Sequence, residues 1–307
     1  MNVSLVFTVL SEGETIGGLL AAIDSQTMQP DEIVVTDGGS TDGTLERLRD
    51  WAAGRASVVV GSSAGANIAI GRNLAIERAA GPIIAVTDAG CVPDANWLEE
   101  LVKPFEDGVD VVMGCYTAEA TTRFERIISC LNIPDPKEIN PEKYMPSARS
   151  LAFTKNVWTA VGGFPEWLNI GEDMFFNHTL KAIKAKRRFA PRAIVKWRPR
   201  PTLKLSLRSY FYYARGDAIG GMYIRRHAIR FFSYSAMAGL VGFWLVAPVF
   251  ALVPIGLELF WLLPAYKRAG TRLAPADFAR ALVVLPVLQV MVDFAKMTGY
   301  LSGLFRR

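Results

Sequence analysis

The sequence predicts an α/β fold: a mixed, mostly parallel sheet flanked by helices, with apolar helices at the C-terminal end. Three observations carry this. Glu32 to Thr44, E-I-V-V-T-D-G-G-S-T-D-G-T, is a β-branched run that ends in a carboxylate and breaks into a turn of small and polar residues. Strand-like and helix-like segments then alternate through Gly114, the pattern of βαβ units. Finally, Phe231 to Leu257 contains no charged residue and exceeds the ~20 apolar residues that span a bilayer.

Val3 to Val9 is apolar and β-branched, and Ser11-Glu12-Gly13-Glu14 leads as a loop into a helix over Thr15 to Ser25. Gln29-Pro30-Asp31 turns the chain into the strand ending at Asp37. Gly38 and Gly39 permit backbone angles closed to other residues, and Ser40, Thr41 and Asp42 offer oxygens to cap a helix over Leu45 to Ala53. A strand over Ala56 to Val60, a helix within Gly65 to Ala80 and a strand over Pro82 to Thr87 follow, the last ending at Asp88. Asp94 caps a helix over Trp97 to Phe105, and Val109 to Gly114 is again a strand. Right-handed crossovers put the carboxyl ends of parallel strands on one rim, where open α/β sheets bind ligands, so Asp37 and Asp88 should both face it. The Asp37 turn is neither a G-x-G-x-x-G fingerprint nor a P-loop.

Thr117 to Pro146, with Pro134, Pro136 and Pro141, reads as an irregular loop region. Regularity returns over Ser150 to Gly162, and Asn169-Ile170-Gly171-Glu172-Asp173 precedes a helix from Met174 to about Lys184. The chain divides into a catalytic domain over 1–202, a basic and aromatic interfacial region over 203–230, and membrane helices over 231–307. In the middle region Tyr210, Phe211, Tyr212, Tyr213 and Tyr223 interleave with arginines, which suits a headgroup layer. Pro248 and Pro254 interrupt the apolar run from Phe231, which reads as one tilted helix or a tight hairpin of two short ones. The flanking basic segments favour the hairpin within Phe231–Tyr266. A second apolar run covers Ala281 to Val292, after which Asp293 and Lys296 stand at i and i+3, placed to pair. The basic loop Lys267 to Arg280 and the tail Arg306-Arg307 belong on the cytoplasmic side.

The formal net charge is +5, with Lys and Arg crowded between Lys181 and Arg230. Beside long apolar segments this indicates a lipid surface and not nucleic acid. The three cysteines make no metal-spaced pair and are expected to be reduced thiols. The N-terminus has no charged region ahead of its first strand, so no signal peptide is expected. The predicted location is the cell inner membrane, multi-pass, with the catalytic portion cytoplasmic.

The ordered set of motifs resembles the inverting glycosyltransferases of family 2, with the GT-A fold, over most of the first 220 residues. Val3 to Thr8 followed by Glu12 is similar to that family's first strand and its N-E turn. Asp37 to Thr44 resembles its D-D-G-S-T-D-G-T element, and Gly71-Arg72-Asn73 through Ala80-Gly81 its A-R-N helix. Trp158 to Glu166, then Glu172-Asp173, resembles its G-G-F-x-E…E-D pair. The resemblance implies transfer of one sugar from a nucleotide sugar to a lipid-linked or glycan acceptor hydroxyl at the cytoplasmic membrane face. It implies that Thr8, Glu12, Asp37, Arg72 and Asp88 hold the nucleotide, that Asp88 helps to hold Mg²⁺ or Mn²⁺, and that Asp173 is the general base.

Two positions depart from the pattern. The D-x-D is Asp88-Ala89-Gly90, so a metal would have one protein carboxylate, with water and the diphosphate completing its shell. Lys196-Trp197-Arg198-Pro199 stands where many members carry a metal-binding His. Arg198, Arg200 or Arg215 would supply positive charge in its place, and Arg149, Glu172, Arg198 and Arg215 are assigned to the acceptor and diphosphate side. A membrane scaffold that retains the nucleotide-binding fold, and a nucleotidyltransferase, are the alternative readings.

Overall fold

The computed structural model describes the backbone of residues 1–244 and 252–306, and their side chains except 240–244 and 252–260. It contains two compact units, residues 1–117 with 135–197, and residues 118–134 with 198–307.

The first unit is built on an eight-stranded sheet in the order β3-β2-β1-β4-β7-β6-β8-β5. Its strands are β1 (Val3–Val9), β2 (Glu32–Asp37), β3 (Val58–Ser62), β4 (Ile83–Val86), β5 (Cys91–Pro93), β6 (Val111–Ala118), β7 (Leu151–Thr154) and β8 (Arg187–Trp197). The helices here are α1 (Ile16–Asp24), α2 (Thr44–Ala52), α3 (Ile68–Arg78), α4 (Trp97–Val102), α6 (Lys155–Ala160) and α7 (Glu172–Ala182). β3, β2, β1 and β4 pair in parallel, and the resolved pairs of the other half, β4–β7, β6–β7 and β5–β8, are antiparallel. The sheet is thus mixed, with β3, β2, β1 and β4 forming its continuous parallel part.

Alternation along β1 explains the layers. Val3, Leu5, Phe7 and Val9 enter one core with α1 and α4, while Val6 enters the other with α3 and α7. Because both faces are covered, the central strands β1, β2 and β4 are buried along almost their whole length. A Cβ added at Gly71 of α3 would stand 2.3 Å from Thr8 Oγ1, so the missing side chain lets α3 lie directly on the end of β1.

The second unit contains α5 (Arg123–Asn132), α8 (Leu203–Ile219), α9 (Ile224–Trp244), α10 (Leu252–Arg272) and α11 (Pro275–Leu304). Helix α5 corrects the irregular reading of Thr117 to Pro146. Thr122 and Glu125 form a reciprocal capping box at its start, and the prolines that suggested a loop all follow its end. Burial acts upward on Glu125, but the amides of Thr121 and Thr122, the Thr121 hydroxyl and Arg198 outweigh it and hold the carboxyl at about 2.

The stretch Lys267 to Arg280, expected as a loop, is helical except at Leu273 and Ala274. Its arginines have local partners. Arg268 donates to the carbonyls of Cys130 and Leu131 and Arg272 to that of Ile133, which satisfies the open end of α5. Arg280, Arg123 and Arg126 surround Asp277.

Helix α11 has 30 residues and is, among the described residues, the one helix long and apolar enough to cross a membrane. Gly299 and Gly303 let α8 approach it closely, since added Cβ atoms would stand 2.1 Å from the Phe211 carbonyl oxygen and 2.5 Å from that of Arg215. Asp293 does not pair with Lys296 as expected. It accepts from Arg230 at 2.7 Å, Gln289 at 2.7 Å and Tyr234 at 3.3 Å, and the Lys296 ammonium lies 4.9 Å from the Tyr210 ring centre. Much of the candidate span Phe231–Leu257, including residues 245–251, lies outside the described residues.

Candidate active site

The parallel strands deliver three loops to one rim of the first unit. The loop after β1 is tied to the loop after β2 by three successive amides. Ser11 donates to Ser40 Oγ at 2.8 Å, Glu12 to Thr44 Oγ1 at 2.9 Å and Gly13 to Asp42 Oδ2 at 2.9 Å. Asp42 also accepts the Thr44 amide at the start of α2, so the side chains expected as helix caps serve chiefly to join the two loops. Asp94, expected as the cap of α4, instead pairs with Lys196 at 3.3 Å, and α4 has Asn96 at its cap position.

Asp37 is wholly buried at the end of β2. Its oxygens accept the amides of Gly39 at 2.9 Å and Ser40 at 3.1 Å, with Ser62 Oγ at 3.4 Å. Thr8 donates its hydroxyl to the Thr36 carbonyl at 3.0 Å. Glu12 is half-buried and accepts from Thr15.

The centre of the site is Arg72. Its side chain is 1% exposed, and its fork reaches Asp88 Oδ1 at 2.6 Å and Glu172 Oε1 at 2.5 Å. The Phe164 ring lies 5.4 Å away. Burial opposes its charge, but the carboxylates of Asp88, Glu172 and Asp173 outweigh that penalty and hold the guanidinium charged, above its ordinary range. Residues from the end of β4 and the start of α7, distant in sequence, thus meet around one cation from α3. Asp37 stands apart, in the strand on the far side of β1.

Gly171 precedes α7 at φ 89°, the left-handed region that glycine adopts without strain. The turn directs Glu172 inward, whereas Asp173 stays half-exposed. Asp173 accepts the amides of Met174 at 2.8 Å and Ala148 at 3.2 Å, and Asn177 bonds the Asp173 and Pro146 carbonyls, both at 2.8 Å. The Ala148 segment therefore fixes the Asp173 carboxylate, a role that nothing local in the sequence suggested.

The neighbouring Asn73 organises the loop that leads to α7. Buried, it donates to the Phe164 carbonyl and Glu166 Oε1, both at 2.9 Å, and accepts the Phe164 amide at 2.9 Å. Asn73→Leu would leave the buried Phe164 amide and carbonyl without partners, an expected loss of about 2–4 kcal/mol. Urea unfolding of the two proteins measures it, and a loss under 1 kcal/mol would contradict this role.

Of the two guanidiniums near the three carboxylates, Arg72 and Arg149, only Arg72 reaches Glu172, which leaves that end of the cluster short of cations. Burial, then the adjoining Asp173, pushes Glu172 up to about 7 against the pull of Arg72. Glu172 then holds a proton in the folded protein at pH values where the unfolded chain has released it, above about 4.5. Stability should accordingly fall as pH rises from 4.5 to 7, by up to about 3 kcal/mol, and Glu172→Gln should flatten that slope. Unfolding curves of both proteins at pH 5 and pH 7.5 test it, and parallel slopes would refute it.

The donor set does not fit a caged metal. Among the described residues no three His, Cys, Asp or Glu side chains converge to hold an ion. Asp88 has a guanidinium at each oxygen, Arg72 at 2.6 Å and Arg149 at 3.7 Å, and the next two residues are Ala89 and Gly90. The second cation beside Asp88 is thus Arg149, from the set assigned to the acceptor and diphosphate side, and not Arg198, Arg200 or Arg215, the cations expected to compensate. Arg198 and Arg215 belong to the second unit, where Arg198 pairs with Glu125 at 3.0 Å and the Arg215 guanidinium lies 6.0 Å from the Tyr212 ring centre.

Known proteins resemble this chain in both sequence and fold. The profile of Glycosyl transferase family 2 matches residues 4–154. Glycosyltransferase AglE of Haloferax volcanii is 30% identical over 292 residues, covering 92% of this chain and 90% of that protein. The O-antigen chain rhamnosyltransferase RfbN of Salmonella typhimurium is 23% identical over 226 residues, covering 69% of this chain and 71% of its own. Among solved structures, the mannosyltransferase PcManGT from Pyrobaculum calidifontis, in complex with GDP-Man and Mn²⁺, superposes with a TM-score of 0.58 at 18% identity, covering 100% of this chain and 88% of that one. GalNAc-T7 with UDP, GalNAc and Mn²⁺ gives 0.52 at 18% identity, covering 71% of this chain and 51% of that one. These two share the fold, and the sequence relatives share the lineage: the chain belongs to glycosyl transferase family 2.

Proposed function

We propose that this glycosyltransferase moves one sugar, with inversion, from a nucleotide sugar to a lipid-linked or glycan acceptor hydroxyl at the cytoplasmic face of a membrane. The observation that carries the reading is the cluster itself: Arg72 forks between Asp88 and Glu172, Asp173 follows Glu172 at the start of α7, and of the two α7 carboxylates only Asp173 remains open to solvent. Thr8, Glu12 and the turn ordered by Asp37 receive the base and ribose, and Asp88 and its guanidiniums face the diphosphate. Asp173 takes the acceptor proton as the acceptor oxygen attacks the anomeric carbon. The donor C–O bond breaks on the opposite face and its electron pair leaves with the diphosphate.

Membrane attachment is supported by α11 and by large apolar side chains left exposed on α9 to α11, among them Phe232, Trp261, Leu263, Val283, Val287 and Phe294. Placement in the cytoplasmic membrane by more than one span is part of the same proposal. The test is turnover of a panel of UDP-, GDP- and dTDP-sugars by detergent-purified protein, with and without lipid-linked and glycan acceptors. Release of nucleoside diphosphate that depends on an acceptor is expected. No release across the panel would overturn the reading.

A further inference from the structure

The sheet itself sets Arg149 against Asp88. β4 and β7 run antiparallel with Val86 paired to Leu151, and the same register carried two residues further brings Asp88 across from Arg149. Arg149 Nε lies 3.7 Å from Asp88 Oδ2, and Nη1 donates to Ser147 Oγ at 3.1 Å. The guanidinium sits 5.0 Å from the ring centre of Tyr116 and 4.5 Å from that of Trp197, two rings that meet edge to face. Two aromatic faces, a carboxylate and a hydroxyl thus fix one cation, and 18% of its side chain remains accessible. A hard divalent ion needs several oxygen ligands. Asp88 offers one carboxylate, and guanidiniums stand at both of its oxygens.

We infer that the clamped Arg149 guanidinium takes the charge-neutralising place of a divalent ion at the donor's diphosphate, with Asp88 as its positioning residue. This rests on the nucleotide-sugar reading above. As the bond from the anomeric carbon to the diphosphate oxygen breaks, its electron pair moves onto that oxygen. A planar, permanently charged donor group suits the phosphate charge that develops. The acceptor oxygen completes the new bond and its proton passes to Asp173, so the step needs no further reactant.

The experiment is calorimetric titration of the full chain in detergent with UDP, GDP and dTDP, each in EDTA and in excess Mn²⁺. Whichever nucleoside diphosphate binds should do so within about threefold in the two buffers, and Arg149→Gln should weaken it by about tenfold or more in both, with no rescue by Mn²⁺. Arg149→Lys should recover part of the loss. Gly90→Asp supplies a second carboxylate at a position where an added Cβ meets nothing nearer than Glu12 Oε2 at 4.0 Å. It should create a response to Mn²⁺ of about tenfold. Wild-type binding that rises more than about tenfold with Mn²⁺ would overturn the inference while sparing the transferase reading. A folded Arg149→Gln protein that binds like wild type would do the same. Absence of binding by all three diphosphates in both buffers would sink the inference and the nucleotide-sugar reading together.

Discussion

Asp173→Asn is expected to lower turnover by about 10²–10⁴-fold while leaving donor affinity within about twofold, the signature of a lost proton acceptor. The amide is isosteric and its one oxygen keeps either the Met174 amide, now on Oδ1, or the Ala148 amide, now on Oδ2, so the start of α7 should persist with one bond fewer. It cannot take a proton from the acceptor hydroxyl. Steady-state rates with saturating donor, beside calorimetric binding of the nucleoside diphosphate, separate the two effects. Full activity would remove Asp173 from the chemistry. Equal losses in rate and affinity would make it a binding residue.

Arg72→Met should have the largest effect on stability. The side chain removed is buried, and the Asp88 and Glu172 carboxylates would lose the cation that bridges them. Removing one partner of a buried ion pair typically costs about 3–5 kcal/mol, a large fraction of the stability of an ordinary domain. Low pH should relieve part of the loss, because protonation of Glu172 removes one uncompensated charge. Arg72→Lys should rescue little, since one ammonium cannot fork between Asp88 and Glu172 as the guanidinium does. Urea midpoints at pH 5 and pH 7.5 for the three proteins test this. A change under about 1 kcal/mol for Arg72→Met would show that the cluster does not depend on this cation.

Much of the rim was legible because its signals are local. The β-branched run into Asp37, the glycines after it and the Gly171 turn each specify backbone shape within a few residues, and α1, α2, α3 and β4 fall close to their expected positions. The three expected carboxylates were placed less evenly. Arg72 joins Asp88 to Glu172, the residue next to Asp173, whereas Asp37 is buried in its own turn. Helix α5 was missed because the prolines after it dominated the composition of its surroundings, although its T-x-x-E capping box lay in plain sight. The basic stretch Lys267 to Arg280 read as a charged loop because composition does not reveal partners. Its arginines in fact serve Asp277 and the end of α5.

The sequence by itself determined the strands and helices of the parallel half, the turns that aim carboxylates at its rim and the apolar character of the C-terminal helices. Each of these follows from backbone preference or hydrophobic period over a short stretch. Only the tertiary structure decided which charges face each other. Arg149 opposes Asp88 because β7 enters antiparallel between β4 and β6, and Arg72 joins Asp88 to Glu172 because Gly71 lets α3 rest on β1. Pairing across a sheet depends on register, and register is set by the packing of both faces together, a property that no single segment carries.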